Sequence, residues 1–111
     1  MISTIDVLSA ISEERSLLLF KTIARFNSER ISSEILISTL HLTSKQYYSR
    51  MFELVKADLV TRRNGKYSLT AFGKIVYDAQ TIIEKALGNY WKLIIETRAI
   101  SNKEFPNRSL N

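Results

Sequence analysis

Apolar residues recur along this chain mostly at the three- and four-residue spacing of amphipathic helices. The apolar positions within residues 1–11 are compatible with a short leading helix or with an arm that packs on a partner. A second helical pattern is predicted to begin at Ser12, a favourable N-cap residue, and to end at residues 27–28. A brief extended step is predicted at residues 30–31.

Two further helical segments follow, and only a tight turn separates them. Ser32 or Ser33 is predicted to cap the first of these helices, which ends at a turn formed by residues 41–42. Thr43 is predicted to cap the second, which runs to about Ala57. A short helix followed at once by a second capped helix is typical of a helix-turn-helix.

The strand-like part of the chain surrounds Asn64 and Gly65. An Asn-Gly dipeptide between two short runs, 60–63 and 66–69, predicts a type I′ hairpin, because both turn positions need a positive φ. Asp58 is predicted to end the preceding helix in the left-handed conformation that Gly usually adopts. The turn sets the cross-strand pairs Arg63 with Lys66, Arg62 with Tyr67, Thr61 with Ser68, and Val60 with Leu69. The core side is predicted to hold Val60, Tyr67, Leu69 and the stem of Arg62.

A long helix is predicted after the hairpin, with Thr70 as its N-cap and 71–100 as its extent. Its apolar positions keep a heptad spacing that continues past Gly88, so one unbroken helix is expected. Such a helix is longer than the small core before it can cover, which favours pairing with a second copy. The predicted dimer interface consists of Val76, Ala79, Ile83, Ala86, Tyr90 and Leu93. Residues 101–111 are expected to form a flexible tail.

The positive charge of the chain is concentrated in one segment. The chain has a net charge of +5, from 16 Lys and Arg against 11 Asp and Glu. Residues 41–74 carry seven of these cations and two of these acids, so the whole excess falls on one helix and the hairpin. A focused positive field favours a polyanionic partner, and a solvated basic face is the competing interpretation.

The order of predicted elements is helix, extended step, helix, turn, helix, hairpin and long helix. This order predicts a mostly α fold with a small β-hairpin, a winged helix-turn-helix with a long C-terminal dimerisation helix. The expected organisation is an arm or short helix at 1–11, a DNA-binding core at 12–70, a dimerisation helix at 71–100 and a tail at 101–111.

Three stretches carry a family resemblance: LTSKQYYSR at 42–50, GKY at 65–67 and LTAFGK at 69–74. They resemble archaeal winged-helix transcription regulators, relatives of the ArsR, MarR and PadR groups, and the resemblance covers roughly residues 12–98. Asp58 departs from it, since such sequences usually carry Gly there. The resemblance implies that the helix in the first stretch enters the major groove of DNA. It also implies that the hairpin, the wing, touches the backbone or the minor groove.

A helical wheel separates the side chains of the helix that follows Thr43. The inner face is predicted to hold Tyr47, Met51, Leu54 and Val55. The outer face is predicted to hold Lys45, Gln46, Ser49, Glu53 and Lys56. Tyr48, Arg50 and Phe52 lie on the flanks between these faces.

The candidate DNA contacts come from this helix, its cap and the hairpin. They are Thr43, Ser44, Lys45, Gln46, Tyr48, Ser49, Arg50, Arg62, Arg63 and Lys66. Lys45, Gln46 and Ser49 are the candidates for reading base edges, because their side chains match base donors and acceptors. Thr43 and Ser44 offer hydroxyl and backbone N–H groups to a phosphate, although Thr43 is first of all a cap.

The remaining candidates are expected to contact the DNA backbone. Tyr48 and Arg50 are predicted to touch phosphate or the wall of the groove, and a core position for Tyr48 is an equal alternative. Arg62, Arg63 and Lys66 form the predicted cationic tip of the wing.

The sequence offers no evident catalytic or cofactor chemistry. It has no cysteine, which excludes disulfides and thiolate metal sites, and His41 is its single histidine. It has no Gly-rich phosphate loop or metal-ligand spacing, and no nucleophile pairs with His41 as a base. We therefore expect a protein that is not an enzyme and that needs no metal or cofactor.

Hydropathy and targeting signals suggest a cytoplasmic protein associated with the nucleoid. No apolar run approaches the ~20 residues that span a bilayer, so no membrane partner is expected. The sequence begins without the basic and then apolar segments of a secretion signal. It indicates no particular small-molecule effector.

The sequence thus predicts a homodimeric transcription regulator that binds double-stranded DNA sequence-specifically. One alternative is a winged-helix protein-interaction module whose long apolar helix binds a different partner. Another is an architectural protein that coats DNA without sequence choice. The oligomeric state distinguishes the first alternative, and affinity for random DNA distinguishes the second.

Overall fold

The computed structural model of this protein describes residues 1–26 and 31–104. The predicted helix end at 27–28, the first residue of the predicted step at 30–31, and residues 105–111 of the predicted tail lie outside the described residues. The described chain is mostly helical, with a small three-stranded antiparallel sheet and a long C-terminal helix. The coarse prediction of a mostly α fold with a hairpin is therefore confirmed.

The elements in chain order are α1 (Thr4–Ile11), α2 (Glu14–Arg25), β1 (Ile31–Ser32), α3 (Ser33–Leu40), α4 (Ser44–Lys56), β2 (Val60–Arg63), β3 (Lys66–Leu69) and α5 (Ala71–Glu104). They fall into two compact units. The first unit, Met1–Tyr77, takes in everything from α1 to the first turns of α5, and the second begins at Asp78. The first unit is therefore longer at both ends than the predicted core at 12–70.

The chain begins with a helix rather than an extended arm. Ser3 caps α1 in a capping box: the Asp6 N–H donates to Ser3 Oγ at 3.1 Å, and the Ser3 N–H donates to Asp6 Oδ2 at 2.9 Å. The hydrogen bond from the Ser3 backbone is the main reason why the pKa of Asp6 lies below its ordinary value.

The predicted cap of the next helix is wrong by one residue. Because α1 runs to Ile11, Ser12 is the C-cap of α1 and cannot also cap α2. Glu13 caps α2 instead, and its carboxylate accepts from the Ser16 N–H at 3.0 Å. An acidic cap also interacts favourably with the partial positive charge at a helix N-terminus.

The three strands form one antiparallel sheet in the order β1-β3-β2. All four predicted hairpin pairs are observed, and Asn64 and Gly65 have φ values of 53° and 75°, as the type I′ turn requires. The extended step pairs with β3 as a third strand, with Ile31 opposite Tyr67. Asp58 has a φ of 61°, which confirms the predicted left-handed helix exit.

The core of the first unit is packed between α2, α3, α4 and the sheet. Its largest fully buried side chains are Tyr47, Phe20, Leu19, Ile23, Leu36, Leu54, Leu59 and Val60. Burial raises the pKa of Tyr47 to about 12, so its phenol stays neutral, and the hydroxyl donates to Ser33 Oγ at 2.8 Å. This bond connects α4 to the start of α3.

The hairpin and α5 meet at a backbone junction formed by Asp58, Leu59, Thr70 and Gly73. The Thr70 N–H donates to the Leu59 carbonyl at 3.1 Å. The Thr70 hydroxyl donates to the Asp58 carbonyl at 2.6 Å and accepts from the Gly73 N–H at 2.8 Å, which confirms Thr70 as the cap of α5. A Cβ on Gly73 would lie 2.0 Å from the Leu59 carbonyl oxygen, so only glycine fits there.

Helix α5 continues through Gly88, as the heptad spacing predicted. It ends at Glu104, so residues 101–104 of the predicted tail are helical. A Cβ on Gly88 would meet nothing within 4 Å, so this glycine fills no steric role in the described chain.

We expect the two helical glycines to respond oppositely to alanine. Gly73→Ala should lower the free energy of unfolding by about 1–3 kcal/mol, because its methyl group would collide with the Leu59 carbonyl. Gly88→Ala should raise helix stability by about 0.5–1 kcal/mol, because the space is open and alanine is the better helix former. Urea unfolding followed by circular dichroism measures both, and destabilisation by both variants would contradict the expectation.

Candidate nucleic-acid interface

Helix α4 begins at a capping box that uses two of the predicted contact residues. The Gln46 N–H donates to Thr43 Oγ1 at 3.1 Å, and the Thr43 N–H donates to Gln46 Oε1 at 3.0 Å. Thr43 is thus the cap, as predicted, and the side-chain carbonyl of Gln46 already accepts one hydrogen bond. Ser44 and Lys45 are exposed beside this helix N-terminus.

The faces of α4 agree with the helical wheel except at one position. Tyr47, Met51 and Leu54 are buried, and the polar residues Lys45 and Ser49 are exposed. The inward prediction for Val55 is wrong, because this side chain is 42% exposed. A helical wheel gives the direction in which a side chain points from the helix axis. It does not show whether a neighbouring element covers that side chain.

Arg50 holds α4 to the start of α2. Its Nε lies 3.0 Å from Glu13 Oε2, and both side chains are about one-third exposed. Partial burial opposes ionisation of Glu13, but backbone hydrogen bonds from Ser16 and Arg15 and the positive charges of Arg50 and Arg15 outweigh it. The pKa of Glu13 therefore lies below its ordinary value. Arg50 was predicted to touch DNA, and sequence reasoning missed this intramolecular partner.

The hairpin carries the three predicted wing cations, and all of them are exposed. Arg63 and Lys66 are directly opposite each other across the strands, where like charges repel. Val60, Tyr67 and Leu69 are buried as predicted, whereas Arg62, whose stem was predicted to share their face, is exposed. A bound anion at this tip would relieve the repulsion between the two opposed side chains.

A groove lies between α4 and the hairpin. It has a volume of about 370 Å³ and is lined by Tyr48, Met51, Phe52, Val55, Arg62 and Tyr67. Both elements contribute to its walls, and Arg62 is the hairpin cation that lines it. Sequence reasoning missed this groove, although a second apolar stripe at positions 48, 52 and 55 was visible in the sequence.

The predicted dimer residues divide into two groups. Val76 is half-buried and packs against the core of the first unit, so it contributes to that core. The other five are exposed on α5, namely Ala79, Ile83, Ala86, Tyr90 and Leu93. Their exposure leaves an apolar stripe on the second unit that no described residue of that unit covers.

Comparisons with family models, with curated proteins and with solved structures give no match to this chain. Among residues 1–26 and 31–104, no group of three or more His, Asp or Glu side chains is placed to hold a metal ion. None of the described helices has both the length and the hydropathy needed to cross a bilayer.

The lowered pKa of Glu13 predicts a pH-dependent contribution to stability. A carboxylate whose pKa is lowered by folding stabilises the fold above its unfolded pKa, near 4.5, and loses this effect as pH falls through the folded value. Glu13→Gln should therefore destabilise the protein at pH 7, and the difference from wild type should shrink at lower pH. Urea unfolding at neutral and acidic pH measures it.

The matched control is Glu14→Gln, which neutralises the adjacent exposed carboxylate outside the Arg50 contact. It should change stability less than Glu13→Gln at pH 7. Equal decreases in the free energy of unfolding for both variants would mean that the Glu13–Arg50 ion pair does not stabilise the fold.

Proposed function

We propose that this protein is a homodimeric transcription regulator that binds double-stranded DNA in a sequence-specific manner. The observation that carries the proposal is the common groove of α4 and the hairpin. In it, exposed side chains of α4 lie beside Arg62 of the hairpin, and the other hairpin cations, Arg63 and Lys66, are exposed next to it in the chain. A helix for the major groove beside a basic hairpin for the backbone is the combination that duplex recognition needs.

The fold class that we propose is a winged helix-turn-helix. Helices α3 and α4 would form the helix-turn-helix, with residues 41–43 between them and a left-handed His41 at the end of α3. The β2–β3 hairpin would be the wing, and β1 would attach it to the start of α3. The order of elements and the sheet order support this proposal.

Helix α4 is proposed as the recognition helix. Lys45 and Ser49 are exposed on its outer face, where a lysine and a hydroxyl can reach base edges or phosphate. Ser44 stands in the first turn, so its hydroxyl and the helix N-terminus together suit a phosphate oxygen. Tyr48 is 55% exposed, which favours the groove-wall role over the core alternative.

Two predicted contacts take modified roles in this proposal. The side-chain carbonyl of Gln46 accepts a hydrogen bond in the capping box, so the side-chain NH₂ is the group that we assign to a base contact. Arg50 pairs with Glu13, so we assign it mainly to holding the recognition helix in position. Specificity would therefore depend more on Lys45 and Ser49 than the sequence alone suggested.

The wing is proposed to neutralise phosphates. Arg62, Arg63 and Lys66 are exposed on the two strands next to the turn. Phosphate contacts position a protein on DNA but carry no sequence information by themselves. The wing would therefore contribute affinity for any duplex.

The exposed apolar stripe of α5 supports the homodimer. Ile83, Tyr90 and Leu93 are each more than half exposed, and they repeat at heptad spacing. A second copy of the same helix would bury this stripe in a self-complementary interface. Two recognition helices related by a two-fold axis would then meet successive major grooves about 34 Å apart, so the operator should be a near-palindrome.

We expect Ser49→Ala and Arg63→Ala to affect DNA binding differently. Ser49→Ala should weaken binding to the selected operator by about fivefold or more and leave random-sequence binding nearly unchanged, because it removes a base contact. Arg63→Ala should weaken binding to both DNAs about equally, because it removes a phosphate contact. Fluorescence anisotropy on both duplexes measures this, after genome-wide selection of bound fragments has identified the operator.

Salt dependence provides the control for that experiment. Operator affinity of the wild type should fall by about three orders of magnitude between about 50 and 200 mM salt, as several phosphates are neutralised. Nearly constant affinity over this range would contradict DNA binding. Equal wild-type affinity for operator and random DNA would instead support an architectural protein.

The wild-type protein is expected to be a dimer that Ile83→Asp converts to a monomer. The new charge would be buried in the apolar seam, which is strongly unfavourable. Asn89→Asp, an exposed polar position on the same helix, is the matched control and should remain dimeric. Analytical ultracentrifugation measures the mass of each.

A monomeric wild type would favour the competing function, a protein-interaction module. The exposed stripe of α5 is the specific observation behind that alternative, because an unpaired apolar helix face also suits a different protein. The same ultracentrifugation experiment therefore separates the two functions.

A further inference from the structure

We propose that the groove between α4 and the hairpin binds unpaired nucleobases, so that the protein prefers DNA containing a locally unpaired segment over a fully paired duplex. The juxtaposition behind this inference is a set of exposed aromatic side chains between two cationic elements. This inference rests on the DNA-binding function proposed above, and it adds that unpaired bases are a feature of the recognised DNA.

The α4 wall of the groove is exposed. Tyr48, Phe52 and Val55 are 55%, 62% and 42% exposed, and they follow each other at the spacing of one helix face. An apolar stripe of this kind is normally covered. The inner face of the same helix is buried, so α4 presents a second apolar surface toward the hairpin side.

Each ring of the groove contacts another side chain of the protein. Buried Tyr47 contacts Tyr48 edge to face, with centroids 4.9 Å apart and planes at 80°. It contacts Tyr67 in the same manner at 6.4 Å. Lys56 Nζ lies 5.9 Å from the Phe52 ring centroid. Side chains that are already oriented lose less conformational freedom when a flat ligand stacks on them.

The charges in and around the groove are mostly positive. Arg62 is the one charged residue among the six that line the groove. Lys45 is exposed on α4, and Arg63 and Lys66 are exposed on the hairpin. Glu53, the single acid of α4, lines a different cavity together with Lys56 and Asp6. An occupant that combines flat apolar surface with negative charge fits both the rings and Arg62.

These requirements distinguish the possible occupants. An apolar protein segment would fill the groove but leave the surrounding cations unused. A fully paired duplex would satisfy the cations, but its bases are stacked on one another and cannot lie against the rings. An unpaired nucleotide supplies both a base to stack on Phe52 and a phosphate for the cations.

The test compares a paired duplex with the same duplex carrying a central run of mismatched bases. Wild type should bind the mismatched DNA about tenfold more tightly, in line with the stacking of one base on an aromatic ring. Phe52→Leu keeps the apolar bulk but removes the ring, so this preference should be lost while paired-duplex affinity changes less than about twofold. Phe72→Leu, which removes a part-exposed ring that lines a different cavity, should keep the preference.

A spectroscopic readout separates stacking from a simple loss of packing. Phe52→Trp restores a ring, so it should restore the preference, and its fluorescence should be quenched by mismatched DNA more than that of wild type. In wild type the single tryptophan is Trp91, on α5. Thermal melting followed by circular dichroism confirms that each variant is folded.

The possible outcomes distinguish failure of the base-binding groove from failure of the proposed DNA binding. If wild type binds paired and mismatched DNA equally, the groove does not take bases, and the proposed duplex binding stands. If the preference survives Phe52→Leu, the mismatched DNA is favoured for its flexibility and the groove assignment is wrong. If no DNA is bound at all, the inference and the proposed function both fail.

Discussion

The carbonyl group of Leu59 is the point on which the arrangement of the hairpin and α5 depends. It accepts the Thr70 N–H at 3.1 Å and lies so close to Gly73 that any side chain there would collide with it. Leu59 directly precedes β2, and Thr70 directly follows β3, so this one contact closes the base of the hairpin. The Thr70 hydroxyl adds a second link, because it joins the Asp58 carbonyl to the first turn of α5.

Because the base of the hairpin is closed, the position of its tip is also restricted. Strands of four residues and a two-residue turn leave little freedom in where the tip lies relative to α4. Val60, Tyr67 and Leu69 are buried in the core, and they hold this position from the inner side. The exposed cations of the tip are therefore carried by a hairpin whose base and inner side are both fixed by contacts with the rest of the first unit.

Helix α4 combines three surfaces with different physical tasks. Its inner face packs in the core around Tyr47, and its outer face exposes Lys45 and Ser49 to solvent. Its third surface, with Phe52 and Val55, forms one wall of the groove toward the hairpin. The buried inner face stabilises the fold, whereas the polar outer face takes no part in the core.

The sequence by itself determined the features that depend on local backbone chemistry. The Asn-Gly turn, the hairpin register, the left-handed Asp58 and the Thr43 and Thr70 caps follow from φ preferences and from hydrogen bonds over three or four residues. The heptad spacing likewise carried α5 through Gly88. Among the candidate contacts, the exposure of Lys45, Ser49, Arg63 and Lys66 also follows from such periodicity.

Only the tertiary structure decided the features that join distant parts of the chain. Arg50 meets Glu13 across two helices, Gly73 meets a carbonyl fourteen positions earlier, and Val55 remains exposed beside the hairpin. No pattern within one segment encodes such contacts, because they depend on the distance and angle between packed elements. A helical period gives the direction of a side chain, but the neighbouring element decides whether that direction ends in the core, an ion pair or an open groove.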